Sequence, residues 1–156
     1  MTLNVANKSN FLSYFVNPVS RLSNSCIVNV SDKDISTIIA AADNTSILYA
    51  RYKTKLGEPD NKINLPDLNR LAKILQCIES DKFNLNLEGN CIKYKDANIQ
   101  FTYHLLEDNI LTSPPISTEK ISALTFNTNF KVPYSSILSL IKTSTFALNI
   151  NKLYIF

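Results

Sequence analysis

One imidazole, three thiols and a scatter of aspartates are the side chains here that could act on a substrate or hold a metal. His104 lies in Phe101-Thr102-Tyr103-His104-Leu105-Leu106-Glu107-Asp108. Nucleophilic catalysis would pair it with Asp108 or Glu107 and with a nucleophile such as Cys91. Nearness in sequence does not supply that geometry, and a strand-end histidine bonded to its surroundings accounts for the residue equally well. Cys26, Cys77 and Cys91 are odd in number and widely spaced, with no C-x-x-C, and His104 stands at no zinc-ligand spacing from them. They read as reduced, mostly buried thiols of a cytoplasmic protein. Asp32, Asp34, Asp43, Asp60, Asp81 and Asp108 fall in expected turns, where aspartate bonds to nearby backbone, so they do not suggest a two-metal nuclease. The two glycines, Gly57 and Gly89, cannot build a phosphate-cradling loop or a dinucleotide fingerprint. No catalytic residue, metal ligand or cofactor is assigned.

The remaining chemistry is charge. A helix is expected over Asp67 to Glu79, opened by Pro66. Leu68, Leu71, Ala72, Leu75 and Ile78 form its apolar stripe at i, i+3, i+4, i+7 spacing. Arg70, Lys73 and Cys77 lie opposite, and acids stand only at the ends, at Asp67 and Glu79. Two basic residues on a solvated face are ordinary by themselves. A weaker version recurs in a helix expected over Tyr134 to Thr145, with Ile137, Leu138 and Ile141 inside and Lys142 towards the other side. A short helix, Asn7 to Val16, offers Lys8 and is expected to stop at Pro18. Together these residues make a sparse positive surface that could follow a phosphate backbone without reading bases. Arg51-Tyr52-Lys53-Thr54-Lys55 and Lys93-Tyr94-Lys95 also interleave aromatic and basic residues. Strand alternation sends their tyrosines to the core and their cations to water, so they make no stacking platform.

The elements that carry these residues repeat. Ile63 to Tyr94 reads strand, proline, amphipathic helix, hairpin; Phe130 to Phe156 repeats it loosely, and Asn7 to about Tyr52 is a looser version still. The period, roughly 60 to 65 residues, exceeds that of solenoids, so each unit looks like half a domain. Strands are expected over Ser25 to Val30, Ile35 to Ala41, Ser46 to Lys53, Lys82 to Leu87, Cys91 to Lys95 and Asn98 to Leu106. Glu107 to Lys120, with Ser113-Pro114-Pro115, reads as a surface connector. Beyond it a further strand is expected near Thr125 to Val132, and more over 146–150 and 151–156. A complete second domain would need roughly 60 to 70 further residues on this period. The 156 residues are 45% hydrophobic and 19% charged, which describes a globular chain, and a net charge of +3 permits a nucleic-acid partner without arguing for one. The polar Met1 to Asn10 lacks a signal-peptide core, and no apolar run approaches a membrane span.

Three segments carry a family resemblance: Ile63-Asn64-Leu65-Pro66-Asp67-Leu68 with Arg70 and Lys73; Ala42-Asp43-Asn44-Thr45 with Ile47-Leu48-Tyr49; and Tyr103-His104-Leu105-Leu106-Glu107-Asp108. On these the chain resembles the sliding clamps of T-even-type bacteriophages, the DNA polymerase processivity factors. The resemblance implies an α+β DNA-clamp fold with two β-α-β units per domain. Residues 1–108 would be one clamp domain, 109–120 the connector and 121–156 an incomplete second domain. It implies no enzymatic activity and no cofactor. The expected partners are double-stranded DNA, the DNA polymerase and an ATP-driven clamp loader, in the host cytoplasm, with self-association into a ring that is trimeric in the family. Lys8, Arg70, Lys73 and Lys142 would face DNA. Ile38, Ile110, Leu111 and Ile116 would line a groove for partner peptides, and the strand Asn98 to Leu106 would be an edge for the neighbouring subunit. The missing remainder of the second domain puts ring closure by this length of chain in doubt. The alternative is a small β-rich phage structural or assembly protein with no DNA role, which would not predict basic residues on exposed helical faces.

Overall fold

Each half of the first domain lends its leading strand to the sheet of the other half. The computed structural model describes residues 1–43, 45–54 and 61–144. The first half comprises β1 (Thr2–Val5), α1 (Lys8–Phe11), a π-helical turn (Leu12–Val16), α2 (Asn17–Leu22), β2 (Cys26–Val30), β3 (Asp34–Ala40) and β4 (Ile47–Lys53). The second comprises β5 (Asn61–Leu65), α3 (Leu68–Gln76), β6 (Phe83–Glu88), β7 (Cys91–Lys95) and β8 (Gln100–His104). They build two four-stranded antiparallel sheets, ordered β1-β6-β7-β8 and β4-β3-β2-β5. β1 lies on β6 with Leu3 opposite Leu85, and β5 lies on β2 with Ile63 opposite Val28.

The two halves repeat each other in detail. Asn7 caps α1 by accepting from the Asn10 N–H at 2.7 Å, and Asp67 caps α3 by accepting from the Arg70 N–H at 2.9 Å. The Lys8 N–H donates to the Asp81 carbonyl at 2.8 Å, and the Leu68 N–H to the Asn24 carbonyl at 2.7 Å. At the two seams between sheets, the Thr54 hydroxyl donates to the Asn4 carbonyl and the Leu106 N–H to the Asn64 carbonyl. A sequence repeat has become a near-twofold arrangement.

One core is shared. Phe11, Phe15, Val16 and Val19 meet Leu68, Leu71, Leu75 and Ile78 of the α3 segment, over Val5, Val28 and Leu85 of the sheets. Burying each large side chain contributes about 1.5–3 kcal/mol. Tyr52 and Tyr94 join from their strands: Tyr52 packs on Phe11 with ring centres 4.9 Å apart, while Arg51, Lys53, Lys93 and Lys95 are exposed.

Several expectations need correction. The first helical stretch does not stop before Pro18 but continues to Leu22. The Asn17 N–H reaches back five residues to the Leu12 carbonyl, and this π register precedes Pro18, which occupies the first turn of α2 where its missing N–H matters least. β1, within the polar Met1–Asn10, forms because β6 offers it a partner. Asp34 does not serve a turn alone: it opens β3, is buried, and accepts from the Arg51 guanidinium (2.8 Å from Nε) and from the Ser31 hydroxyl. The connector ends in a short helix, α4 (Thr118–Ser122), capped by Ser117.

The chain divides into two compact units, Met1–Ala123 and Leu124–Phe156. In the second, α5 (Tyr134–Ser144) forms as expected, but the segment 125–132 carries no strand. Leading strands in the first unit exist because the complementary half pairs with them, and the described residues of the second unit contain no strand to do so. The strands expected over 146–150 and 151–156 lie outside the described residues.

Candidate nucleic-acid interface and partner groove

Two helical segments of the first unit carry the candidate interface, and they pack against each other. Within their bounds neither contains an aspartate or glutamate; Asp67 is a cap, its carboxylate turned to the backbone. Arg70 and Lys73 are exposed on α3, on the side away from Leu68, Leu71 and Leu75. Among the described residues the ion pairs are Arg51–Asp34 and Lys93–Glu88, so neither Arg70 nor Lys73 is neutralised that way. Lys8 is half-buried, and its ammonium donates to the Ile78 carbonyl just beyond α3, satisfying a helix-end acceptor and placing positive charge there. Lys142 is exposed in the last turn of α5, in the second unit. Arg21, exposed in the last turn of α2, is a further cation of the same helical layer. Reading Pro18 as a stop hides it; Pro18 as a first-turn residue of a new helical segment is the signal that would have found it.

The N-terminus of α3 is fixed from the sheet. The Tyr103 hydroxyl accepts from the Asp67 N–H at 2.9 Å and donates to the Asp67 carbonyl at 2.7 Å. Burial pushes the Tyr103 phenol above its ordinary value, so the neutral, donating form is kept. Strand β8 thereby sets where α3 begins, and with it where Arg70 stands.

On the first unit the connector closes over a groove of about 430 Å³. Ile38 lines it from β3, and Ile110 and Leu111 line it from the connector, with Ala40 and Pro114 beside them. Ile116 is half-buried and is not among its lining residues. Ile27 lines the groove from β2, and the register Ile38–Tyr49 on β3 and β4 continues the apolar lining onto the sheet's outer face. Asn64, on a buried position of β5, anchors the connector's start: its amide donates to the Asp108 carboxylate at 3.1 Å and to the Glu107 carbonyl at 3.4 Å. Sequence reasoning missed Asn64, since its partners lie more than forty positions away. Asn109, next along, adopts φ 69°, a left-handed turn that asparagine tolerates.

The structure also joins two residues that sequence leaves apart. Cys91 and His104 face each other across β7 and β8, with Sγ 3.2 Å from Nδ1. Asp108 is engaged with Asn64. Cys26 is buried in the core, its thiol pushed up to about 11 by burial. Among the described residues no group of three or more His, Cys, Asp or Glu side chains could hold a metal ion. No helix among them is long and apolar enough to cross a membrane.

No protein-family model matches the chain, and no curated protein matches it. Its fold, in contrast, is that of solved sliding clamps. The DNA polymerase III subunit beta of Pseudomonas aeruginosa superposes with a TM-score of 0.64 at 16% identity, over 98% of this chain and 41% of that one. PCNA of Thermococcus kodakaraensis gives 0.59 at 16% identity, over 74% and 50%. The Helicobacter pylori beta clamp bound to a DNA ligase peptide gives 0.54 at 14% identity, over 75% and 34%. The chain thus spans half or less of the length of these clamps.

Proposed function

We propose that the chain acts as a sliding clamp, a non-enzymatic DNA polymerase processivity factor of the T-even bacteriophage type, or as part of one. The observation that carries this reading is the strand-exchanged pair of β-α-β halves whose two helical segments bear exposed cations and no acid within their bounds. Arg70 and Lys73, with Lys8 and Lys142 in support, follow the phosphates of duplex DNA inside a ring of copies. The charge is sparse because a clamp has to slide: each neutralised phosphate adds salt-dependent affinity, and tight clamping would stall it. Ring symmetry multiplies a few cations into a continuous, sequence-independent lining.

The groove lined by Ile38, Ile110 and Leu111, with Ile116 next to it on the connector, receives short apolar segments of the polymerase, the clamp loader and other replication proteins. The Helicobacter pylori clamp bound to a DNA ligase peptide supports such use of the fold. β8, which among the described residues pairs only with β7, offers its other edge to a neighbouring subunit, which removes an exposed-edge liability. Trimerisation and residence in a host cytoplasm follow from the same family reading.

The test is duplex binding by fluorescence anisotropy with DNA of unrelated sequences. Wild-type chain should bind weakly, equally to each sequence and less as salt rises. Arg70→Ala with Lys73→Ala should leave the circular dichroism spectrum unchanged and reduce the slope of log K against log salt by about 2. Binding and slope unchanged in the double variant would remove these residues from the interface.

A further inference from the structure

The exposed face of β6, β7 and β8 carries a polar row, Glu88, Cys91 and His104, in register across three strands. Cys91 and His104 are within contact distance, Sγ to Nδ1 3.2 Å, at the surface. We propose that Cys91 is a modification site for small disulfides, with His104 as the base that takes its proton. In the tautomer whose proton is on Nε2, the Nδ1 lone pair lies within reach of the thiol, and His104 accepts the proton as Cys91 Sγ attacks one sulfur of the disulfide. A mixed disulfide forms on Cys91, the second sulfur leaves as a thiolate, and the imidazolium returns the proton to it. No further oxidant is needed, because the incoming disulfide is itself reduced at the leaving sulfur.

The surroundings suit this chemistry. Lys93 follows Cys91 on the same face of β7, pairs with the Glu88 carboxylate of β6 at 2.8 Å, and keeps that acid from opposing a developing thiolate. The Met1 ammonium, bonded to the Leu87 carbonyl at 3.1 Å, adds positive charge at the same end of the sheet. The product would stand on the strand next to β8, whose outer edge has no strand beside it among the described residues.

The chain contains its own controls. Cys77 is exposed but its thiol donates to the Lys73 carbonyl of its own helix, with no imidazole beside it, and Cys26 is buried. The experiment follows reaction of the full chain with 4,4′-dithiodipyridine, a neutral disulfide, by absorbance and by mass spectrometry of the modified peptides. At pH 7 Cys91 should react about tenfold faster than Cys77, a modest effect for a positioned base. His104→Gln should bring Cys91 down to the rate of Cys77 with an unchanged thermal midpoint, and Cys91→Ser should remove the fast phase. Equal rates for the two thiols in the wild type, a His104→Gln rate equal to wild type, or a fast phase surviving Cys91→Ser would each overturn the proposal.

Discussion

At the scale of residues, the structure turns ambiguous polar side chains into specific partners. Tyr94 is buried, and its hydroxyl donates to the Asp96 carboxylate at 2.7 Å. Burial first, then that carboxylate, push its phenol up to about 12. The same bond, with the Ile99 and Asn98 N–H groups, holds Asp96 below the usual carboxylate range. A phenol raised in the folded state stabilises fully below its unfolded value near 10, and loses that contribution as pH climbs towards 12. The wild-type thermal midpoint should therefore fall more steeply between pH 10 and pH 12 than that of Tyr94→Phe, measured by circular dichroism. Parallel curves would show that Tyr94 is not responsible. Lys8 makes the same point about charge. Its sequence position suggests a solvated cation, and contact with the Ile78 carbonyl gives it a structural partner as well.

Elements were readable where their own periodicity sufficed. The stripe Leu68, Leu71, Ala72, Leu75 and Ile78 predicts α3, and the structure buries all five. Leu75 is fully buried at the centre of the shared core, so Leu75→Ala should cost about 2–5 kcal/mol in urea unfolding, without a change in the cations opposite. A cost below 1 kcal/mol would mean that the stripe is not the core face. The π turn was not readable: Leu12–Val16 has an ordinary apolar pattern, and only the Asn17-to-Leu12 bond shows the widened register that admits Pro18. β1 was hidden for a different reason. In Thr2-Leu3-Asn4-Val5 two buried positions alternate with two exposed asparagine and threonine side chains, too short a pattern to stand without β6. The absence of a strand over 125–132 is the converse case, a suitable sequence with no partner strand among the described residues.

For the whole molecule, the near-twofold exchange of leading strands is the central fact, because it makes each half dependent on the other and gathers both helical segments over one core. The groove belongs to this scale too, since β3 and the connector are some seventy residues apart and meet through the anchor at Asn64. On the proposed function, a synthetic peptide with clustered leucine and phenylalanine should bind the first unit. Ile38→Asp, at a half-buried position, should weaken that binding at least about tenfold without unfolding the chain, as isothermal titration would show. Equal affinity for the variant would place the peptide elsewhere.

The amino-acid sequence by itself determined the repeat, the amphipathic α3, most strands and the separation of acids from helical cations. These depend on local spacing and on the fixed periods of helix and strand. Tertiary structure alone decided which sheet each leading strand joins, where the connector is tied and that Cys91 meets His104. Those depend on hydrogen bonds and packing between distant residues, whose partners no local pattern names.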